Sequence, residues 1–201
     1  MIRVRRARPS DLDAAAELLA EVFTDYPWMT WTVEATDRRA RLTALYRHVL
    51  GALVLPHGAA WVCETRDRDE VRLVGAAGWL TPRTQPPAST LQELAAVEAH
   101  WRGNRREPHE RAEALLQPLR PTGPSWFLGT LGVLPDHRGQ GLAERLLRPG
   151  LESAAAEGVE ALLETSAPRN VTLYERLGFD IKAAVKVAPE GPTVWMMRRR
   201  P

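Results

Sequence analysis

Cysteine is nearly missing: Cys63 is the only one in 201 residues, so neither an intrachain disulfide nor a cysteine-built zinc site can form. Its strand-like surroundings, Trp61-Val62-Cys63-Glu64, read as those of an inert buried thiol. Long apolar runs are missing too. No segment approaches the roughly 18 consecutive apolar residues of a membrane helix, so no membrane partner is expected. Nor is there an excess of either charge: 27 Lys plus Arg against 25 Asp plus Glu leave +2, too little to argue for nucleic acid. The basic clusters Arg102-Arg105-Arg106 and Arg198-Arg199-Arg200 read as solvated surface. The five histidines follow no metal-ligand spacing, so no metal is expected. The stretch Met1-Ile2-Arg3-Val4-Arg5-Arg6 reaches Pro9 without an apolar h-region, which reads as no signal peptide and a cytoplasmic location. The length suits one domain over 1–201.

What is present alternates between strand-like and helix-like stretches. Ile2 to Ala7 reads as a strand, and Ser10-Asp11-Leu12-Asp13 as a capping box opening a helix through Phe23. A second helix is expected over Asp37 to Leu53, then strands over Ala59 to Thr65 and Val71 to Leu80 around the charged turn 66–70. Ser89 and Gln92 open an alanine-rich helix, which Gly103-Asn104 divides from Glu107 to Gln117. Pro118, Pro121, Gly123 and Pro124 mark a connection to a strand over Trp126 to Val133. A helix over Gln140 to Ala156, a strand over Ala161 to Thr165, a helix over Asn170 to Leu177 and a hairpin of Phe179 to Val187 with Thr193 to Arg198 complete the chain. This order predicts an α/β fold, a mixed central sheet with helices on both faces.

The most informative stretch is Leu131-Gly132-Val133-Leu134-Pro135-Asp136-His137-Arg138-Gly139-Gln140-Gly141-Leu142-Ala143. Its glycine-punctuated turn sits between a strand and a helix N-terminus, where unpaired N–H groups and the helix dipole favour an anion. It is neither G-x-x-x-x-G-K-[ST] nor G-x-G-x-x-G with a distal acid. What remains is Arg-x-x-Gly-x-Ala, Arg138 to Ala143. A second constellation is Leu163-Glu164-Thr165-Ser166-Ala167-Pro168-Arg169-Asn170-Val171-Thr172-Leu173-Tyr174-Glu175-Arg176-Leu177-Gly178-Phe179. There Asn170 reads as a helix N-cap, with Tyr174 one turn on along the same face.

The Arg138–Ala143 pattern and the ending Tyr174-x-x-Leu177-Gly178-Phe179 resemble the GCN5-related N-acetyltransferases. The resemblance implies a GNAT acyl-CoA N-acyltransferase fold with a splayed coenzyme A-binding strand, acetyl-CoA as donor and a primary amine as acceptor. It also implies that Leu131, Gly132 and Val133 meet the pantetheine, and that Arg138, Gly139, Gln140, Gly141, Leu142 and Ala143 cradle the diphosphate. Asn170 would approach the pantetheine arm, the Val133 N–H would stabilise the oxyanion, and Tyr174 would lie near the thioester sulfur. An ordinary tyrosine, with pKa about 10, stays protonated beside a thiol of about 8.5, which suits Tyr174 as general acid.

Trp126-Phe127-Leu128, the run Leu163 to Asn170, Pro189-Glu190-Gly191-Pro192 and Phe23-x-Asp25-Tyr26-Pro27 resemble the family's puromycin-acetylating members. Arg138 and Ala143 depart from those members but stay within the family pattern, and residues 28–120 match more loosely. Tyr26, Trp79 and Glu164 are the candidate acceptor contacts; Glu164 is also the candidate base. Acceptors other than an aminoacyl-nucleoside are a small amine, a polyamine or a peptide N-terminus, and a non-catalytic coenzyme A sensor is the alternative to an enzyme. The oligomeric state is left open.

Overall fold

Apolar residues at strand spacing build seven strands among the described residues, with the run from Trp126 to Val133 at the sheet's centre. The computed structural model describes residues 2–67, 70–120 and 122–201. Residues 68 and 69 of the charged turn, and Pro121 of the proline-marked connection, lie outside the described residues. The strands are β1 (Ile2–Arg6), β2 (Ala59–Asp67), β3 (Glu70–Leu80), β4 (Ser125–Val133), β5 (Glu160–Thr165), β6 (Asp180–Lys186) and β7 (Thr193–Arg199). They form one sheet in the order β1-β2-β3-β4-β5-β7-β6. Among the described residues only β4 and β5 pair in parallel.

Helices α1 (Leu12–Phe23), α2 (Pro27–Thr32), α3 (Arg38–Val49) and α4 (Leu55–His57) precede β2. Helices α5 (Ala88–Arg102) and α6 (Arg106–Leu116) fill the connection from β3 to β4. Helix α7 (Leu142–Ala156) follows β4 and α8 (Pro168–Arg176) follows β5. Gly132 faces α1, since a Cβ there would come within 2.8 Å of Leu19 Cδ2; Gly75 faces α7, with Leu146 Cδ1 at the same 2.8 Å. Successive strand residues point to opposite faces, so these contacts put α1 and α7 on opposite sides of the sheet. Leu19, Leu146, Leu147, Leu163 and Phe179 are among the fully buried side chains between these layers. Among the described residues no helix is long and apolar enough to cross a membrane.

Three local expectations are corrected, and one helix, α2, is unexpected. Ser10 does not cap α1; the carboxylate of Asp11 accepts the Arg8 N–H at 2.7 Å and is gripped by Arg5 at 2.7 Å, closing a turn of 3₁₀ helix ahead of α1. The second expected helix leaves α-geometry at Leu50, where a π-helical turn over Leu50–Val54 carries the chain into α4. Helix α2 lacks a sequence signal beyond Pro27 at its first position. Asn170 is not an N-cap: α8 starts at Pro168 after the extended Ala167, which makes Asn170 its third residue.

Candidate active site

Two irregularities in β4 open the sheet. Gly78 pairs with Thr130 but Trp79 pairs with Leu128, so Gly129 is an extra residue, a β-bulge. Pairing of β4 with β5 stops at Leu128 and Leu163, beyond which the two strands part. The Leu134 N–H donates to the Val74 carbonyl at 3.0 Å. Antiparallel pairs alternate in hydrogen bonding, so Gly132 spends its backbone groups on Ala76, whereas Leu131 and Val133 turn theirs away from β3, toward the missing strand. The backbone groups of Leu131 and the Val133 N–H are therefore free for an extended amide-bearing ligand. Those of Gly132 are not; a Cβ there would come within 2.8 Å of Leu19 Cδ2, so the position also lets α1 pack closely on the strand.

Beyond β4 a single 3₁₀ turn over Pro135–His137 and an extended Arg138 lead into the glycines. Gly139 and Gly141 have φ of 76° and 70°, which side chains disfavour, and a Cβ on either would meet no protein atom within 4 Å. Open space in front of left-handed glycines lets a ligand approach the backbone. The first hydrogen bond of α7 runs from the Arg145 N–H to the Gly141 carbonyl at 3.1 Å, leaving earlier N–H groups at the helix end for an anion. The loop thus fits a diphosphate. Gln140 is exposed, whereas the Leu142 side chain is buried and only its backbone can reach a ligand. Arg138 donates from Nε to the Val133 carbonyl at 3.1 Å, tying the loop back to the strand.

A cavity of about 640 Å³ lies along the parting of β4 and β5. Tyr174 and Asn170 line it from α8, together with Gly129, Thr130 and Leu131 of β4. Tyr174 is 5% exposed, its ring set edge-on to Phe179 at 5.8 Å. Burial, and then the nearby Tyr26, push its hydroxyl well above the ordinary tyrosine value. Asn170 donates from Nδ2 to Thr165 Oγ1 at 3.4 Å.

Glu164 and Thr165 are adjacent on β5 and so face opposite sides of the sheet. Glu164 lies under α6, where Arg120 donates to both its oxygens, at 2.6 and 2.8 Å, and to Glu113 at 2.7 Å. Its ion-paired oxygens leave it a poor free base. The same hydrogen bonds, Glu164's foremost, hold Arg120 firmly charged. Tyr26 lines the cavity, but its hydroxyl is engaged by Thr165 and by the Ser166 N–H, each at 2.8 Å. The Trp28 N–H donates to Ser166 Oγ at 2.9 Å, pinning α2 to the end of β5.

Trp79 is corrected: it is 0% exposed, packs edge-on against Trp126 at 6.0 Å, and does not border the cavity. Arg102 is corrected as well, being buried, 3.5 Å from Glu98 and bonded to the Thr32 carbonyl at 3.3 Å. Residues missed by sequence reasoning are Glu113, Arg120, Tyr46 and Phe127, all bordering the cavity. Only Phe127 carried any signal, as part of the run Trp126-Phe127-Leu128, though not as a site residue. Cys63 is buried as expected, and burial pushes its thiol up. Among the described residues no group of three or more His, Cys, Asp or Glu is placed to hold a metal.

Residues 16–179 match the model of the acetyltransferase (GNAT) family. The N-alpha-acetyltransferase RimI of Mycobacterium tuberculosis is 33% identical over 95 residues, which span 47% of this chain and 60% of that protein. A structure described as histone acetyltransferase HPA2 and related acetyltransferase, from Corynebacterium glutamicum, superposes with a TM-score of 0.73 at 24% identity, covering 100% of this chain and 96% of that one. The C-terminal condensation domain of Ebony, in complex with β-alanyl-dopamine, gives 0.75 at 12% identity, covering 100% and 99%. The two structures share the fold.

Proposed function

The chain belongs to the GNAT acetyltransferase family, and from that premise we propose that it is an acetyl-CoA-dependent N-acetyltransferase acting on a primary amine by direct attack. The carrying observation is the opened β4: the backbone groups of Leu131 and the N–H of Val133 turned away from β3 beside the buried Tyr174, with an anion-binding helix end where the strand finishes. The donor, when bound, supplies an activated acetyl thioester. Leu131 and Val133 hold its pantetheine, the loop from Arg138 to Ala143 its diphosphate, and Asn170 flanks the arm. The Val133 N–H donates to the oxygen on which negative charge develops. Tyr174 gives its proton to the departing sulfur. Burial raises both phenol and thiol, so the tyrosine keeps the higher pKa and is protonated at neutral pH.

Acceptor binding belongs to the part of the cavity bordered by α2 and Arg120, with Tyr26 and Trp28 as aromatic wall and Glu164, oriented by Arg120, as polar contact. The finer reading is an aminoacyl-nucleoside such as puromycin, which the motifs of the C-terminal half and the aromatic wall favour. The match to RimI favours a second, a peptide N-terminus. Both present an α-amine, whose pKa near 8 leaves roughly a tenth neutral at pH 7. Mass spectrometry of acetyl-CoA reactions with puromycin, agmatine, spermidine and an alanine-initiated peptide separates them. Product from any of these supports the enzyme, and coenzyme binding without product from a broad amine panel overturns it in favour of a sensor.

A further inference from the structure

All three tyrosines of the chain, Tyr26, Tyr46 and Tyr174, border the same cavity. Two have a use: Tyr26 fastens the end of β5, and Tyr174 faces the donor. Tyr46 has none so far. It projects from α3 into the cavity wall, 8% exposed, its ring 5.7 Å from that of Phe23. Burial drives its hydroxyl far above the ordinary tyrosine value, so it stays a neutral donor and acceptor.

Thr130 stands opposite. It is two residues from Gly132, so its side chain shares the face that packs on α1, away from α7. Its Oγ1 lies beside the Tyr46 hydroxyl, where hydrogen bonding moderates that phenol's rise against burial, and it has no other partner among the described residues. Two hydroxyls that have only each other leave lone pairs unused on a cavity wall, which suits a donor arriving from the cavity. Glu98 borders the cavity nearby, with Arg102 behind it.

We propose that the Tyr46 and Thr130 hydroxyls receive the N–H groups of the attacking acceptor amine. The inference rests on the acetyltransferase reading and deepens it. An attacking nitrogen must aim its lone pair at the thioester carbonyl, so its N–H bonds point away from the donor, toward the α1–α3 side of β4. Thr130 is the first residue after the bulge and meets the acceptor where the strand opens. Tyr26 cannot serve, because Thr165 and Ser166 occupy its hydroxyl. The pair selects a primary amine over a tertiary one, since two acceptor oxygens match two N–H groups.

The test uses Tyr46→Phe, Thr130→Val and Thr130→Ser in the full chain, with puromycin and the alanine-initiated peptide as acceptors. Tyr46→Phe and Thr130→Val should each lower kcat/KM for the acceptor about tenfold, the loss of one hydrogen bond. Thr130→Ser should retain activity. Calorimetric affinity for coenzyme A and the melting temperature should stay at wild-type values in all three, while acceptor binding to the coenzyme A-loaded protein weakens. The double variant should lose less than the product of the single losses, because both hydroxyls serve one nitrogen. Wild-type kcat/KM in Tyr46→Phe or Thr130→Val overturns the assignment, and so does an equal loss of coenzyme affinity. Absence of any acetylated amine with the unaltered protein overturns the acetyltransferase reading instead.

Discussion

The donor half and the acceptor half of the cavity are built by different means. On the donor side one continuous segment, from the bulge in β4 to the first turn of α7, supplies backbone groups. On the acceptor side the polar contacts are side chains from distant segments: Arg120 reaches Glu164 across 44 positions and Tyr26 reaches Thr165 across 139. A backbone site tolerates drift in side chains but not in conformation. A side-chain site can be remade one residue at a time while the sheet beneath it stays fixed. The comparison teaches that donor and acceptor selectivity are separable here, and mutations should separate them.

The sharpest separation comes from Tyr174→Phe. Loss of the general acid should lower kcat by about 100- to 1000-fold, with coenzyme affinity unchanged, since the ring and its contact with Phe179 remain. Steady-state kinetics beside calorimetry decides it; a wild-type kcat removes Tyr174 from the proton transfer. Gly141→Val comes next. Its Cβ would meet no protein atom, so steric loss in the free protein is absent and the cost there is φ strain alone. Coenzyme affinity should fall about 100-fold as two anion-directed N–H contacts are lost. An affinity within threefold of wild type would show that the loop does not cradle the diphosphate.

The same contrast explains what could be read without the fold. The sheet, the order of elements and the β4–α7 loop follow from local signals: apolar spacing, prolines and two glycines where the chain must turn left-handed. Gly132 shares the motif with Leu131 and Val133 while its backbone groups belong to β3, a distinction that only the ladder's register reveals. Trp79 misled because an aromatic residue on a strand announces nothing about which face it takes. Its face is settled by Gly150 of α7, where a Cβ would lie 2.5 Å from the Trp79 ring. Arg120 and Glu113 carry no pattern at all: an arginine between prolines and a glutamate on an amphipathic helix become a site only when the chain brings β5 beneath them.

Arg120→Met should therefore act on the acceptor alone. Removing the guanidinium leaves Glu113 and Glu164 without their shared hydrogen-bond donor, so nothing fixes the Glu164 carboxylate in the acceptor wall. The acceptor KM should rise about tenfold, the equivalent of one lost charge-assisted contact, while coenzyme affinity holds. A matching drop in coenzyme affinity would join the two halves into one cooperative unit and break the comparison.

The smallest effect concerns stability rather than turnover, and it too is confined to the acceptor side. His109 on α6 packs edge-on against Trp28 at 5.9 Å. Burial, with the charge of Arg102 adding to it, holds its pKa down to about 4. The folded chain therefore keeps this imidazole neutral while the unfolded chain, titrating near 6.5, binds a proton. Between about pH 6.5 and 4 the unfolded state takes up more protons, so stability is full above that window and declines as pH falls through it. The linkage amounts to roughly 3 kcal/mol at most, or about 6 to 12 °C in melting temperature for a chain of this size. His109→Leu should flatten the melting curve against pH over that window without altering coenzyme binding at pH 7. Because His109 sits on the helix that carries Glu113, acceptor affinity should weaken on acidification before coenzyme affinity does. Simultaneous loss of both would mean that α6 and the β4 loop open together, and that the acceptor wall has no stability of its own.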